Sequence, residues 1–268
     1  MFTETLAERG CLVIQRLFPP ELIDAVRGEY ERQYARLNPA DLPSHLNVGD
    51  RRVLLPMALR GPLFDPALYA NPLLMTLLTG LFQTPFLIDN VSCVTALAGA
   101  ADQRPHRDHP PLFREQPGLA AAIPAYAVTV AIPLIDLDET TGTTRLLAGS
   151  MAMDPDDPNT PPEAAEEVRP FVPRGGCFVM DYRLLHHGLA NRSDRDRPIL
   201  YIVYAREWFT DIINFRKHSR LLVDAADLAR IPTGHRAMFR RLAAPGLHDL
   251  SIRELIAAAD EPPDPRAR

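Results

Sequence analysis

The chain has 268 residues, 46% of them hydrophobic and 24% charged, which is the composition of an ordinary globular protein, and the length fits one sizeable domain or two small ones. A formal net charge of −5, from 29 Lys and Arg against 34 Asp and Glu, argues against nucleic acid as a partner, since a phosphate-binding surface carries a basic excess. No apolar run approaches the ~18–20 residues of a membrane span, and "MFTETLAERG" lacks the apolar segment of a secretory signal. Cys11, Cys93 and Cys177 are too far apart for a metal knuckle and odd in number for a disulfide framework, so reduced thiols in a cytoplasmic protein are expected.

In chain order, a short helical stretch leads into an apolar strand-like run from Cys11 to Ile14. Leu22, Val26, Tyr30, Tyr34 and Leu37 then recur at helical spacing, with Pro20 suited to the first turn. A loop is expected from Asn38 to Arg52. Asp65-Pro66 and Asn71-Pro72 each read as an N-cap followed by proline at the first helical position. The second opens a helix, "PLLMTLLTGLF", that Gly80 is expected to end or interrupt.

From Pro85 the texture changes. "FLIDNVSCVTALA", "AYAVTVAIPLI", "TTRLLAGS", "GGCFVMDYRLLHHG" and "RPILYIVYAREWF" are short β-branched or aromatic runs divided by Gly, Pro and Asp. They have the pattern of an antiparallel sandwich or barrel, and helices followed by strands suggest a helical layer packed on a β core. Residues 151–170, proline-rich and acidic, read as a long surface loop. Asp154, Asp156 and Asp157 within it lack the Gly and distal Glu of a calcium loop. The C-terminal part is helical in flavour and ends in a frayed tail.

The chemistry concentrates in "DQRPHRDHPP". In an extended segment His106 and Asp108 share a side, opposite Arg107 and His109. Two ligands that close suit one metal ion, and a distant histidine would complete a facial triad of two His and one carboxylate, leaving positions of an octahedral iron open. Without that third group, a proline-flanked surface turn explains the stretch equally well. The block "DYRLLHHGLANRSDRDRPILYIVYA" offers His186 and His187.

Here the chain resembles the phytanoyl-CoA dioxygenase family of Fe(II)/2-oxoglutarate-dependent oxygenases. The resemblance rests on the His-x-Asp, on Asp181, Arg183, His186, Asn191, Ser193 and Arg197 in the family's register, and on "LAERGCLVIQRLFPPELIDAVR" and "DETTGTTRLLAGSM". It covers residues 5 to 206. It implies a double-stranded β-helix, a cupin-like jelly roll, in a single domain over 1–268. The helical N-terminal part is expected at about 1–84, the jelly-roll core at about 85–210 and a helical extension at 211–268. It implies His106, Asp108 and His186 as iron ligands and Arg197 as the partner of the distal carboxylate of 2-oxoglutarate, with Ser193 and Thr129 lining the cosubstrate pocket. The implied reaction uses Fe(II), 2-oxoglutarate and O2 to hydroxylate or otherwise oxidise a C–H bond of a small organic substrate, in secondary metabolism.

Two departures stand out: Met151 where a histidine often follows Gly-Ser, and Gly188 at a position whose side chain sometimes helps to bind cosubstrate. Asp108 fills the site that halogenases of this kind leave vacant, so hydroxylation or a related oxidation is expected. His187 competes with His186 as ligand, and strand alternation alone does not separate them. His109 is assigned to the pocket wall or just behind the ligands, Arg107 to the surface or a salt bridge, His45 to the surface or a substrate mouth, and Trp208 to a packing anchor. Two alternatives are a cupin-type metalloenzyme that does not use 2-oxoglutarate, which would have no reason to keep Arg197, and a non-catalytic binding protein on the same fold.

Overall fold

Hydrophobic patterning in the long central strands organises the molecule. The computed structural model describes residues 2–34, 46–113, 115–116, 119, 122–151, 163–211, 221–223, 227 and 229–243. Helix α1 (Phe2–Arg9), strand β1 (Cys11–Ile14) and helix α2 (Pro20–Tyr34) open the chain. Pro20 starts α2, where its missing N–H costs nothing, and Ile23, Val26 and Tyr34 form the buried stripe. Helices α3 (Pro66–Tyr69) and α4 (Pro72–Phe82) begin as the sequence predicts: Asp65 accepts from the Ala67 amide at 2.8 Å and Asn71 from the Leu73 amide at 3.0 Å. Gly80 neither ends nor interrupts α4. A Cβ there would lie 3.0 Å from Thr3 Oγ1, so the glycine admits α1, and the helix runs on to the left-handed Gln83.

Seven strands form the larger sheet in the order β1-β9-β6-β11-β5-β3-β2. Beyond β1 these are β2 (Asn47–Gly49), β3 (Arg52–Pro56), β5 (Phe86–Ala96), β6 (Ala127–Pro133), β9 (Cys177–Asp181) and β11 (Arg197–Arg206). A smaller sheet has the order β10-β7-β8, from β7 (Thr144–Ala148), β8 (Glu166–Val168) and β10 (His186–Gly188). All pairings in both sheets are antiparallel. A short β4 (Ala58–Leu59) pairs in parallel with β12 (Leu222–Val223). Two antiparallel sheets enclosing one core, with helices on the outer face of the larger, make the double-stranded β-helix.

Two stretches expected to be loops contain edge strands. Asn47–Gly49 pairs with β3 through a tight turn at Asp50 and a left-handed Arg51, and Glu166–Val168 pairs with β7. Polar and acidic residues hide both from a hydrophobic pattern, and such residues are what exposed sheet edges carry. The sequence 35–45, with His45, and 152–162, with Asp154, Asp156 and Asp157, lie outside the described residues. Near the C-terminus a 3-10 helix spans Thr233–Ala243, and its Phe239 packs against Phe64 and Tyr69. Among the described residues no helix is long and apolar enough to cross a membrane.

Alternation sorts the long strands. Leu200, Ile202 and Tyr204 of β11, with Val128 and Val130 of β6, face the helices, while Ile199 of β11, Ala131 of β6 and Phe178 of β9 face the smaller sheet. β11 lies between β5 and β6, so a loss at Ile202 is felt across the whole layer. Ile202→Ala should destabilise the fold by roughly 2–5 kcal/mol, from lost transfer energy and the cavity left behind. Urea unfolding should report this as a lower midpoint at unchanged slope.

Candidate metal centre

The two halves of the candidate site are joined by the backbone. His106 donates to the His186 carbonyl at 2.8 Å and the His186 amide donates back to His106 at 2.9 Å, which places the residues directly opposite each other. Gln103 N also donates to Gly188 O at 2.9 Å, so the segment lies alongside β10, joined to it at this isolated bridge. Residues paired across a ladder present side chains on the same face, and Asp108, two residues on, shares that face. One Nε2 or Nδ1 atom from each histidine and one Asp108 oxygen thus lie within 4.8 Å of one another. His187 pairs with Arg145 of β7 and turns to the opposite face.

Hydrogen bonds fix which nitrogens are offered. His106 Nδ1 lies 2.9 Å from the Arg104 carbonyl and His186 Nδ1 lies 3.0 Å from the Leu184 carbonyl. A carbonyl only accepts, so both Nδ1 atoms carry the proton and both Nε2 lone pairs are free for a metal. Asp108 Oδ1 stands 3.4 Å from His186 Nε2, and Thr129 Oγ1 donates to Oδ2 at 3.3 Å. Burial, with His186 beside it, pushes His106 down to about 4, so it is a neutral imidazole near pH 7. Burial opposes ionisation of Asp108, but His186 and His106 outweigh it and hold the carboxyl below its ordinary value; the same pairing raises His186 against its own burial. Two imidazole nitrogens and one anionic oxygen are the donor set of a divalent metal with open positions, so the residues fit Fe(II).

These groups line a cavity of about 490 Å³ between the sheets. Neutral polar side chains from the larger sheet, Asn90, Ser92, Thr129 and Tyr201 among them, form much of its wall. Arg197 stands at another part of the wall, 2% exposed, where β11 begins. Its Nη1 donates to the carbonyls of Thr141 at 2.8 Å and Leu189 at 3.0 Å. Burial, then the nearby charge of Arg52, lowers it to about 10, which leaves it cationic at neutral pH.

The other expected site residues are placed differently. Thr129 is fully buried in the cavity wall and its hydroxyl supports Asp108. Ser193 does not line the cavity: its hydroxyl caps a turn, donating to Asn191 Oδ1 at 2.6 Å. Asn191 ties that turn to the end of β5 through the carbonyls of Ala96 and Leu97. His109 also lies off the cavity, its ring 5.2 Å from Phe209. Arg107 is half-buried and donates to the carbonyls of Ser150 and Arg183, so it braces the site rather than facing solvent. Trp208 is 62% exposed and anchors nothing, because the interior beside it is already filled by Tyr126 and Phe209. Sequence reasoning missed Arg52, Gln103, Asn90 and Tyr201. Each lies on the inner wall only once the strand order is known.

The chain matches the family described as phytanoyl-CoA dioxygenase (PhyH) over residues 6–199. The chain belongs to the phytanoyl-CoA dioxygenase family. It is an enzyme of the Fe(II)- and 2-oxoglutarate-dependent oxygenase type. Solved structures share its fold. The non-haem α-ketoglutarate-dependent epimerase SnoN from nogalamycin biosynthesis aligns with TM-score 0.56 at 16% identity, covering 76% of this chain and 80% of SnoN. AviO1 from Streptomyces viridochromogenes Tue57 aligns with 0.56 at 20%, covering 77% and 94%. HygX from Streptomyces hygroscopicus, seen with nickel, 2-oxoglutarate and hygromycin B, aligns with 0.55 at 18%, covering 77% and 86%.

The family's Asp-x-Arg acts here as a frame for the turn that delivers His186. Arg183 forks onto Asp181, Nε to Oδ1 at 2.8 Å and Nη2 to Oδ2 at 2.7 Å, while Nη1 reaches the Ile123 carbonyl. A lysine cannot reproduce that planar fork. Arg183→Lys should lower stability by about 1.5–3 kcal/mol, the range for a lost hydrogen bond to a charged group, read from the midpoint of denaturant unfolding.

Proposed function

We propose that this chain holds Fe(II) with His106, Asp108 and His186, receives the distal carboxylate of 2-oxoglutarate at Arg197, and oxidises a C–H bond of a small, oxygen-rich organic molecule of secondary metabolism. The observation that carries the reading is the convergence of one carboxylate and two proton-fixed imidazoles on a cavity that also holds the buried Arg197. When bound, Fe(II) and 2-oxoglutarate supply the oxidising chemistry with O2, yielding succinate and CO2.

The residues have separate tasks. His106 and His186 present Nε2 because backbone carbonyls hold the opposite nitrogens, and Asp108 supplies the negative charge, steadied by Thr129. Arg197 offers a planar cation suited to a carboxylate and keeps its charge when buried. The neutral polar wall of Asn90, Ser92 and Tyr201 suits hydroxyl and ether oxygens better than a bare hydrocarbon. On the same fold, SnoN is seen with nogalamycin RO and HygX with hygromycin B.

Two measurements test this. After anaerobic loading and desalting, His187→Ala should keep stoichiometric iron and His186→Ala should lose it. The reverse pattern would move the ligand to His187, and no loss in either would remove the β10 block from the metal site. Separately, Arg197→Ala should weaken 2-oxoglutarate binding about thirtyfold or more, the lower end expected when one partner of a buried charge pair is removed. An enzyme that turns over in the absence of 2-oxoglutarate would instead be the cupin-type alternative.

A further inference from the structure

One side chain of the cavity wall has a proton acceptor directly behind it. Tyr182 lines the cavity together with Asp108 and is buried. Its hydroxyl donates to Asp211 Oδ2 at 3.0 Å, and Asp211 is wholly enclosed. Tyr201, the other tyrosine of the wall, is bonded to the Thr144 side chain instead, and a hydroxyl is no base near neutral pH. A phenol gives up an electron readily when its proton can leave at the same time. Of the two tyrosines, Tyr182 has the base that this needs.

Behind Tyr182 a row of aromatic rings continues to the surface. The Tyr182 ring centre lies 5.9 Å from that of Phe209, and Phe209 lies 4.5 Å from Tyr126 and 6.3 Å from Trp208. These are the separations of packed aromatic pairs. One phenyl ring therefore stands between the cavity tyrosine and Trp208, which is the only tryptophan of the chain and is 62% exposed. That exposure is built in. Arg241 donates to the carbonyls of Glu207 and Phe209 on either side of Trp208 and pairs with the buried Asp89, so the backbone there is pinned. Tyr126 is a poor end for the row: its hydroxyl is buried and has no hydrogen-bond partner among the described residues, so its proton has nowhere to go. Trp208 stands in water, where an indole can release a proton freely. An indole, like a phenol, is far more easily oxidised than a phenyl ring.

We propose that Tyr182, Phe209 and Trp208 form a discharge path, along which the surface indole supplies electrons to the metal centre when it turns over with no substrate bound. This rests on the reading of the metal and cosubstrate sites given above. Substrate-free turnover converts 2-oxoglutarate and O2 to succinate and CO2 and leaves two oxidising equivalents at the site. Each is removed by an electron from the Tyr182 phenol, whose proton crosses to Asp211. An electron from Trp208, passing Phe209, then restores the phenol and the proton returns. Two such losses, with addition of a water molecule, convert the indole to a hydroxyindole and release two protons to solvent. Two protons are taken up at the metal, where the remaining oxygen atom leaves as water. In sum 2-oxoglutarate, O2 and the Trp208 side chain become succinate, CO2 and a hydroxylated Trp208 whose new oxygen atom comes from solvent.

The test is aerobic incubation of the Fe(II)-loaded protein with 2-oxoglutarate and no substrate, in water enriched in heavy oxygen and with catalase present. Succinate is measured, and the peptide that carries residue 208 is analysed by tandem mass spectrometry. Trp208 should gain one oxygen atom, and that atom should be the solvent's. In Tyr182→Phe, which keeps the ring and removes the hydroxyl, Trp208 oxidation should fall to the level of a control without 2-oxoglutarate. Asp211→Asn, which removes the base, should do the same. In Trp208→Phe, a change at an exposed position, oxidation should collect on Tyr182 instead. The isotope measurement needs no variant, so it decides the matter even if Tyr182→Phe does not fold. An unmodified Trp208 in protein that forms succinate overturns the proposal. So does an oxygen atom derived from O2, the mark of a diffusing oxidant, and so does equal oxidation of Trp208 in Tyr182→Phe. Absence of succinate from the unmodified protein is a different result and removes the reading of the metal and cosubstrate sites on which the path rests.

Discussion

The site depends on one constraint, the antiparallel pairing of His106 with His186. Two backbone hydrogen bonds set these residues opposite each other, and the rest follows from geometry: the rings face the same way, Asp108 joins them two residues later, and His187 is turned aside. A slip of one residue would send His187 inward and His186 outward. Against such a slip stands the next ladder, where His186 pairs with Leu146. Leu146 is wholly buried in the core between the sheets, beside Phe178 and Met180. The position of His186 is thus held by hydrophobic packing, transmitted through β7, rather than by the polar groups around it.

The same architecture separates charge along the cavity. The carboxylate and the imidazoles lie where the segment after Gln103 meets β10, and the arginines lie where β3, β5 and β11 meet around Ala96. A molecule with a chelating end and an anionic end is oriented by this polarity before any specific contact is made. Burial, with His186 beside it, keeps His106 neutral, whereas Asp108 raises His186 against its own burial. Asn191 and Ser193 serve the arrangement indirectly, by shaping the turn that brings the chain from β10 to β11.

Much of this was legible in the sequence. Side-chain alternation is enough to put His106 and Asp108 together, and Asp-Pro and Asn-Pro mark helix starts because each supplies both a cap and a fixed φ. The long strands show as β-branched runs because both of their faces are covered. What was hidden has a common physical cause. The edge strands β2 and β8 carry polar residues, and hydrophobic pattern is blind to them. Arg52 sits in "VGDRRVLLP", where nothing local separates it from the exposed Arg51; only pairing with Ala96 reveals which of the two turns inward. Ser193 failed for a different reason: residue type suggested a role in the site, but its hydroxyl is already satisfied by its own turn. Trp208, expected as a packing anchor, is left at the surface instead.

Gly188 shows why a departure from a family pattern is best judged in three dimensions. Along the chain it is a lost side chain two residues after the proposed ligand His186. In space the volume is filled by Arg52, which lies 136 residues earlier and belongs to the other sheet. The exchange has consequences for charge and reach. A side chain on β10 would approach the cavity from the histidine-bearing sheet, whereas Arg52 comes from the sheet that carries Arg197. Its guanidinium then shares the Leu189 carbonyl with Arg197 and adds a second fixed cation to that end of the cavity. Both arginines are anchored on the Leu189 carbonyl, and each is held by a further carbonyl of its own. The cationic end is therefore preorganised by the backbone, and its geometry does not depend on an anion arriving to assemble it.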